Sequence, residues 1–282
     1  MSTRSHRVLI DGLEFDPLTQ AEVLSQITKV LEGKKTGVTV RIVKPYVEFF
    51  DGARRYAGVR EAINGADYVI ADSVAVQWAA AWLAEKRPTL TRFVWSLAVG
   101  LRSPDWLSRC IPERGEGASA THRVLMAAAQ HGWRVGILGG PEDSQTTQRH
   151  VQEKYPMLQL QKVWSGYFSA RDEASLARHI AKEKLDILFV ALGFPKQELF
   201  MAEYAESGIA RVMLGEGGTF DYVEMGGSLH RAPSWMRQSG LEWLWRLGLQ
   251  PSRIGRQMSI PKFMWRIFKQ SRQARRSRTK HI

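Results

Sequence analysis

The sequence predicts a doubly wound α/β domain, a largely parallel sheet covered by helices, followed by a basic helical tail. Apolar runs of strand length alternate with helix-period segments along most of the chain, and the alternation stops after Gly227. Glycines recur just past several of those runs, at the edge where open parallel sheets bind ligands.

Taken in order, the first 11 residues hold no apolar core long enough for a signal peptide. A helix opens on the capping box Thr19-Gln-Ala-Glu22, whose hydroxyl and carboxylate satisfy each other's free backbone donors, and ends before Gly33. Strands are expected at 38–43 and 66–71, with a helix after Asp72 running through Val76, Trp78, Ala79 and Trp82. Residues 87–119 mix an apolar run with Pro88, Pro104, Pro112 and a Gly115-Glu-Gly117 turn, and read as a long, partly helical insertion. Further strands are expected at 134–138, 158–163, 186–192 and 211–215, and the pair Tyr167-Phe168 reads as core. The division that follows is an α/β domain over residues 1–227 and a helical, basic appendage over 228–282.

Composition narrows the function classes. With 44% apolar residues in 282, the chain can bury a large core. A single cysteine, Cys110, excludes an internal disulfide and a Cys-x-x-Cys metal site, and fits a reducing compartment. The longest apolar stretch, residues 93–101, is half of the roughly 20 residues a spanning helix needs, so the chain is not expected to cross a bilayer. Of 40 Lys and Arg, 13 fall after residue 230, where Glu242 is the one acid among 28; the first 230 residues therefore carry 27 of each sign. The net charge of +12 thus lies entirely in the tail.

The candidate site residues are those that follow the strands. Residues 134–138 run into Gly139-Gly140-Pro141, 186–192 into Gly193-Phe-Pro195-Lys-Gln197-Glu198, and 211–215 into Gly217-Gly218-Thr-Phe220-Asp221. Glycine admits a ligand close to the backbone, and a following helix offers free N–H groups to a diphosphate. One such glycine is an ordinary turn; three at one edge point to a nucleotide site. Asp72 closes the strand 66–71 at the same edge, where a carboxylate is placed either to accept a proton from an attacking hydroxyl or to cap the next helix. Gln197 and Glu198 are candidates for reading polar groups of a sugar or base, or for opening a capped helix, and Asp221 for a donor contact or a turn.

The run Gly193-Phe-Pro195-Lys196-Gln197-Glu198, then Gly217-Gly218-Thr-Phe220-Asp221, then Arg231-Ala232-Pro233, then Gly240-Leu-Glu242-Trp243-Leu-Trp245-Arg246-Leu with Pro251 and Arg253, resembles the WecG/TagA/CpsF family, glycosyltransferase family 26. Gly166-Tyr167-Phe168 and the turn Leu138-Gly-Gly140 add to the likeness, which runs from about residue 38 to 257. The resemblance implies a Rossmann-like domain that moves an N-acetylmannosamine-type sugar, its uronic acid or a related hexose from a UDP-sugar donor to a polyprenyl-diphosphate-linked sugar acceptor. It also implies that Asp72 is the general base, that the anomeric centre is inverted, and that Arg231, Arg246 and Arg253 close over the donor diphosphate. Planar guanidinium forks suit phosphate oxygens. No Asp-x-Asp motif is present, so no metal and no other cofactor is expected.

The chain departs from the family pattern at three places. Ile42-Val43-Lys44-Pro45 stands for a Thr-x-Asn, Asp72-Ser73 for Asp-Gly, and Gly117-Ala118-Ser119-Ala120 for a Gly-Ser/Thr-Asp-Leu segment. Lys44 in place of an asparagine suggests a carboxylate reader for a uronic acid donor. The same departures leave open a catalytically altered binding or scaffold member of a polysaccharide assembly complex. A nucleotide-dependent oxidoreductase is remote, because no Gly-x-Gly-x-x-Gly follows the first strand.

A basic, aromatic-rich tail suits an anionic membrane surface, with Trp243, Trp245, Phe263, Trp265 and Phe268 as the apolar side and Lys and Arg meeting lipid headgroups, while residues 272–282 read as a solvated, disordered end. Clustered arginines also suit nucleic acid, but no recognised nucleic-acid module accompanies them, so no nucleic-acid partner is expected. The expected place is peripheral, at the cytoplasmic face of the inner membrane, with a homo-oligomer left open.

Overall fold

A computed structural model describes residues 7–34, 37–86, 88–115, 117–238, 242–249 and 258–279. Two short strands, β1 (Val8–Ile10) and β2 (Leu13–Phe15), form an antiparallel hairpin that the sequence reading missed. Three residues per strand leave too little alternation to register as a pattern; the turn Asp11-Gly12, with both φ values positive, is the local signal. The main sheet holds β3 (Val40–Val43), β4 (Tyr68–Val69), β5 (Arg134–Gly139), β6 (Gln159–Trp164), β7 (Leu185–Ala191) and β8 (Ala210–Gly215). All its pairings are parallel, in the order β4-β3-β8-β7-β5-β6.

The expected strands all appear in this Rossmann-like sheet. The strand expected over 66–71 shrinks to a two-residue ladder, yet the pairing continues as Ile70 N–H donates to Val43 O at 2.9 Å and Asp72 N–H to Pro45 O at 3.2 Å. That continuation carries Asp72 to the carboxyl edge beside the loop after β3.

Helices cover both faces: α1 (Gln20–Glu32), α2 (Val47–Arg55), α3 (Val59–Asn64), α4 (Val74–Leu83), α5 (Leu90–Ala98), α6 (Pro104–Ser108), α7 (Gly117–His131), α8 (Ser144–Lys154), α9 (Ala170–Lys182) and α10 (Lys196–Glu203). The capping box at Thr19 and Glu22 is formed, with Gly33 closing α1. The insertion is helical over α5 and α6. After β8 come α11 (Ser234–Gln238), α12 (Glu242–Leu249) and α13 (Ser259–Thr279).

Two apolar cores flank the sheet, and α13 is built into one of them. Phe263, Ile267 and Phe268 are buried there, Phe263 against Phe50 with ring centroids 4.5 Å apart and Phe268 against Phe93 at 4.8 Å. Trp82 Nε1 donates to Ser271 Oγ at 3.1 Å, and Arg266 donates to Asp11 and Asp51, so the inner face of α13 is tied to the body of the protein. This corrects one expectation: Phe263 and Phe268 are core residues and have no apolar surface to offer a membrane. Their spacing resembles that of a membrane-facing stripe because burial in a core and burial in lipid impose the same helical period. A second correction concerns Tyr167, which is exposed and not core; only Phe168 of that pair packs inward.

Candidate functional site

The loops that follow the strands converge at the carboxyl edge of the sheet. Behind Asp72, the helix α4 is capped by Ser73, whose hydroxyl accepts from Val76 N–H at 3.3 Å. Ser73 therefore does the capping that the sequence offered as the plain alternative for Asp72. One Asp72 oxygen, Oδ1, accepts from the backbone N–H of Gly117 at 3.2 Å, at the start of α7. A Cβ on Gly117 would lie 3.8 Å from Asp72 Oδ2 and 3.7 Å from Thr219 Oγ1, which sets the carboxylate, the α7 start and the loop after β8 side by side.

Beneath them lies a buried charge pair. Lys44 Nζ donates to Glu216 Oε1, and Thr219 Oγ1 donates to the other oxygen of Glu216 at 2.8 Å. All three side chains are buried, so the Glu216 carboxylate is held by a cation and a hydroxyl in a medium that would otherwise penalise its charge. Lys44 thus already holds a carboxylate from its own chain, Glu216. Sequence reading missed Glu216, although its place directly after β8, between Gly215 and Gly217, was visible.

In front of this floor opens a cavity of about 260 Å³, lined among others by Ser119, His122, Lys154, Tyr155, Thr219 and Arg231. Its walls come from α7, α8 and the loop after β8. The His122 ring and the Tyr155 hydroxyl share a hydrogen bond. Burial, together with the Lys154 and Arg231 cations, pushes the His122 imidazole below its usual range, and burial with the nearby Glu224 carboxylate pushes the Tyr155 phenol up to about 12. Arg231 lies 4.0 Å from Glu224, over the Tyr222 ring, and among the described residues its Nε is buried without a hydrogen-bond partner. A cavity bearing several cationic donors and one acid suits an anionic ligand. His122, Lys154 and Tyr155 were not legible beforehand, because they converge from different helices and no spacing in the chain links them to the strand ends.

The remaining candidates fall at the same edge. A Cβ on Gly139 would meet the Ala191 carbonyl at 2.2 Å, and one on Gly140 would meet Phe220 at 3.1 Å; both glycines have positive φ, so the loop after β5 closes on those after β7 and β8 only without side chains. Gly217 faces open space, and Gly218 follows it in the loop over Glu216. Asp221 is tied into a turn through its carbonyl, which accepts from Leu229 N–H at 2.9 Å. Gln197 and Glu198 start α10 and are buried: Gln197 Nε2 donates to Glu198 Oε1 at 2.9 Å, and a Cβ on Gly215 would meet Gln197 Nε2 at 2.7 Å. Burial pushes the Glu198 carboxyl up to about 8. Among the described residues, Gln197 Oε1 and Glu198 Oε2 lack hydrogen-bond partners, which protein interiors seldom tolerate.

The tail arginines divide. Arg231 lines the cavity. Trp245 Nε1 donates to His230 O at 3.0 Å, tying α12, the helix that carries Arg246, to the segment that carries Arg231. The Arg246 side chain and Arg253 lie outside the described residues. Among the described residues, no helix is long and apolar enough to cross a membrane.

With this geometry in place, comparison with known proteins is informative. The family model described as "Glycosyl transferase WecG/TagA/CpsF family" matches residues 8–100 and 104–277. Proteins of Staphylococcus aureus strains MRSA252 and COL, each named N-acetylglucosaminyldiphosphoundecaprenol N-acetyl-beta-D-mannosaminyltransferase, are 28% identical over 278 residues, covering 98% of this chain and 98% of their own.

Proposed function

Because the chain belongs to the WecG/TagA/CpsF family of glycosyltransferases, we propose that it transfers an N-acetylmannosamine-type sugar from UDP to a polyprenyl-diphosphate-linked sugar at a membrane surface. The names of the Staphylococcus aureus relatives support both the sugar class and the lipid-diphosphate acceptor. The observation that supports the mechanism is the Asp72 carboxylate at the carboxyl edge of the sheet, held by Gly117 N–H while Ser73 caps α4, beside the α7 start and the Thr219 loop that line a cation-bearing cavity.

In the proposed reaction the acceptor hydroxyl loses its proton to the Asp72 carboxylate as its oxygen bonds to the anomeric carbon. The bond from that carbon to the diphosphate oxygen breaks on the opposite face, so configuration inverts and UDP departs with the electron pair. Gly117 N–H fixes the carboxylate during proton transfer. The charge growing on UDP is met by Arg231 and Lys154, with Arg246 and Arg253 brought in by the tail, an arrangement aimed at the transition state that calls for no metal. Gly139, Gly140, Gly217 and Gly218 let the donor approach the backbone, and Gln197, Glu198 and Asp221 are proposed to read its polar groups.

Asp72→Asn tests the base. Transfer from UDP-N-acetylmannosamine to a lipid-diphosphate acceptor should fall by roughly 10²–10⁴-fold, while the thermal stabilisation given by UDP persists. Retained transfer by the variant would remove Asp72 from the mechanism. If no member of a panel of UDP-sugars stabilises the native chain, the alternative of a catalytically altered scaffold protein takes its place.

A further inference from the structure

Helix α5 is inverted with respect to water. Its inner face, Phe93 and Ser96, packs on Trp82 and Trp78, with centroids 5.5 Å apart for Phe93 and Trp82, and Trp78 Nε1 donating to Ser96 Oγ at 3.1 Å. Its outer face is apolar and open: Leu90 is 59% exposed, Val94 57%, Trp95 44% and Val99 49%. On a helix of 3.6 residues per turn these four, with Thr91 and Ala98, fill one half of the circumference, and none is charged. Exposed apolar residues are ordinary singly; a contiguous patch of this kind marks a docking surface.

The neighbouring helix supplies the complement. Phe93 touches both Trp265 and Phe268 of α13, which lays α13 alongside α5. Lys262, Trp265, Lys269 and Arg272 are all exposed and, at spacings of three, four and three, share one stripe of α13. Residues 259–282 contain eight Lys and Arg and no acid, and residues 86–104 contain four and no acid. Glu85, the acid just before α5, is held by Arg92 and Arg109.

We propose that the outer face of α5, together with Trp265 and the basic stripe of α13, is the surface by which the chain docks on an anionic lipid bilayer. Apolar side chains entering the headgroup boundary beside lysines and arginines that meet lipid phosphates are the two halves of an interfacial anchor. A second copy of the chain fits this surface poorly, because pairing the patch with itself sets one basic stripe against another.

The docking helix is also tied to the helix that follows Asp72. Ser96 of α5 is hydrogen-bonded to Trp78 of α4, the helix that opens at Ser73 directly after Asp72. A bilayer under α5 therefore meets the side of the body that carries α4, and this docking role rests on the lipid-linked acceptor of the function proposed above.

The test is co-sedimentation of the full chain with phosphatidylglycerol-containing vesicles and with pure phosphatidylcholine vesicles, for the native protein, Leu90→Ser/Val94→Ser and Lys262→Gln/Lys269→Gln/Arg272→Gln. Each variant should bind phosphatidylglycerol vesicles about tenfold or more weakly, with an unchanged thermal midpoint because the altered side chains are exposed. Native-like binding by the Ser variant overturns the proposal. So does a shift in its oligomeric state with vesicle binding intact, which assigns the patch to contact between copies. A native chain that is stabilised by UDP but ignores vesicles sinks the docking surface and leaves the transferase reading standing.

Discussion

Lys44 and Glu216 show how a buried cation is accommodated by its neighbourhood. A lysine entering a buried position needs a carboxylate, and Glu216, fixed further by Thr219, supplies it. Lys44→Asn alone leaves Glu216 buried and unpaired and is expected to cost about 3–5 kcal/mol in urea unfolding, whereas Lys44→Asn/Glu216→Gln should recover most of that loss. Donor preference is best compared in the double variant, where folding does not confound it; an unchanged preference there would separate Lys44 from sugar selection. Glu198 poses the reverse case, a buried acid that pairs with the neutral amide of Gln197. Its carboxyl is raised from 4.5 to about 8, so between those pH values the unfolded chain releases a proton that the folded chain keeps. That contribution to stability is complete below about pH 4.5 and is lost as pH climbs to about 8. Glu198→Gln removes the titration, so it should gain stability relative to the native chain across that window, by an amount on the order of a few kcal/mol. Parallel pH profiles of the two proteins in thermal melts would dismiss the buried-acid account.

At the scale of elements, α4, α5 and α13 form one aromatic cluster. Trp78, Trp82, Phe93, Trp265 and Phe268 touch in sequence, with ring centroids between 4.8 and 6.4 Å, and Phe50 on α2 joins through Phe263. A helix near the chain terminus therefore closes the core over the helix that starts at the catalytic edge. Phe268→Ala is expected to cost about 3–5 kcal/mol, read by chemical denaturation, and removal of the chain from residue 259 onward should destabilise the whole body rather than merely detach it from lipid. A truncated protein with native stability would make α13 an ornament on the fold. The sequence marked the tail as helical and basic but placed a disordered end from Arg272 onward, where α13 continues as helix to Thr279; nor did it separate the faces, because both carry aromatic residues: Phe263 and Phe268 face Phe50 and Phe93, while Trp265, between them in the chain, is 47% exposed. The same ambiguity holds for α5, expected only as part of a partly helical insertion: its apolar run does not tell which face is covered until its partners are known.

For the molecule as a whole, charge is divided by region: the first 230 residues balance at 27 of each sign and the tail carries the excess. Binding to phosphatidylglycerol vesicles should therefore weaken by about tenfold or more between low and moderate salt, since exposed charges are screened over roughly 10 Å at 0.1 M. Salt-independent binding would shift the weight to the apolar face of α5 alone. The linear chain determined the six parallel strands, their order of appearance, the helix capped at Thr19, the glycines that let the loops close, and the family through its ordered motifs, because strand period, cap chemistry and glycine's backbone freedom are local properties. Folding alone decided that Ser73 and not Asp72 caps α4, that Lys44 meets Glu216 across 172 positions, that His122, Lys154 and Arg231 share one cavity, and which face of α13 is dry. Each of those depends on which distant segment arrives alongside, and contact across long sequence separation leaves no trace in the spacing of the residues that make it.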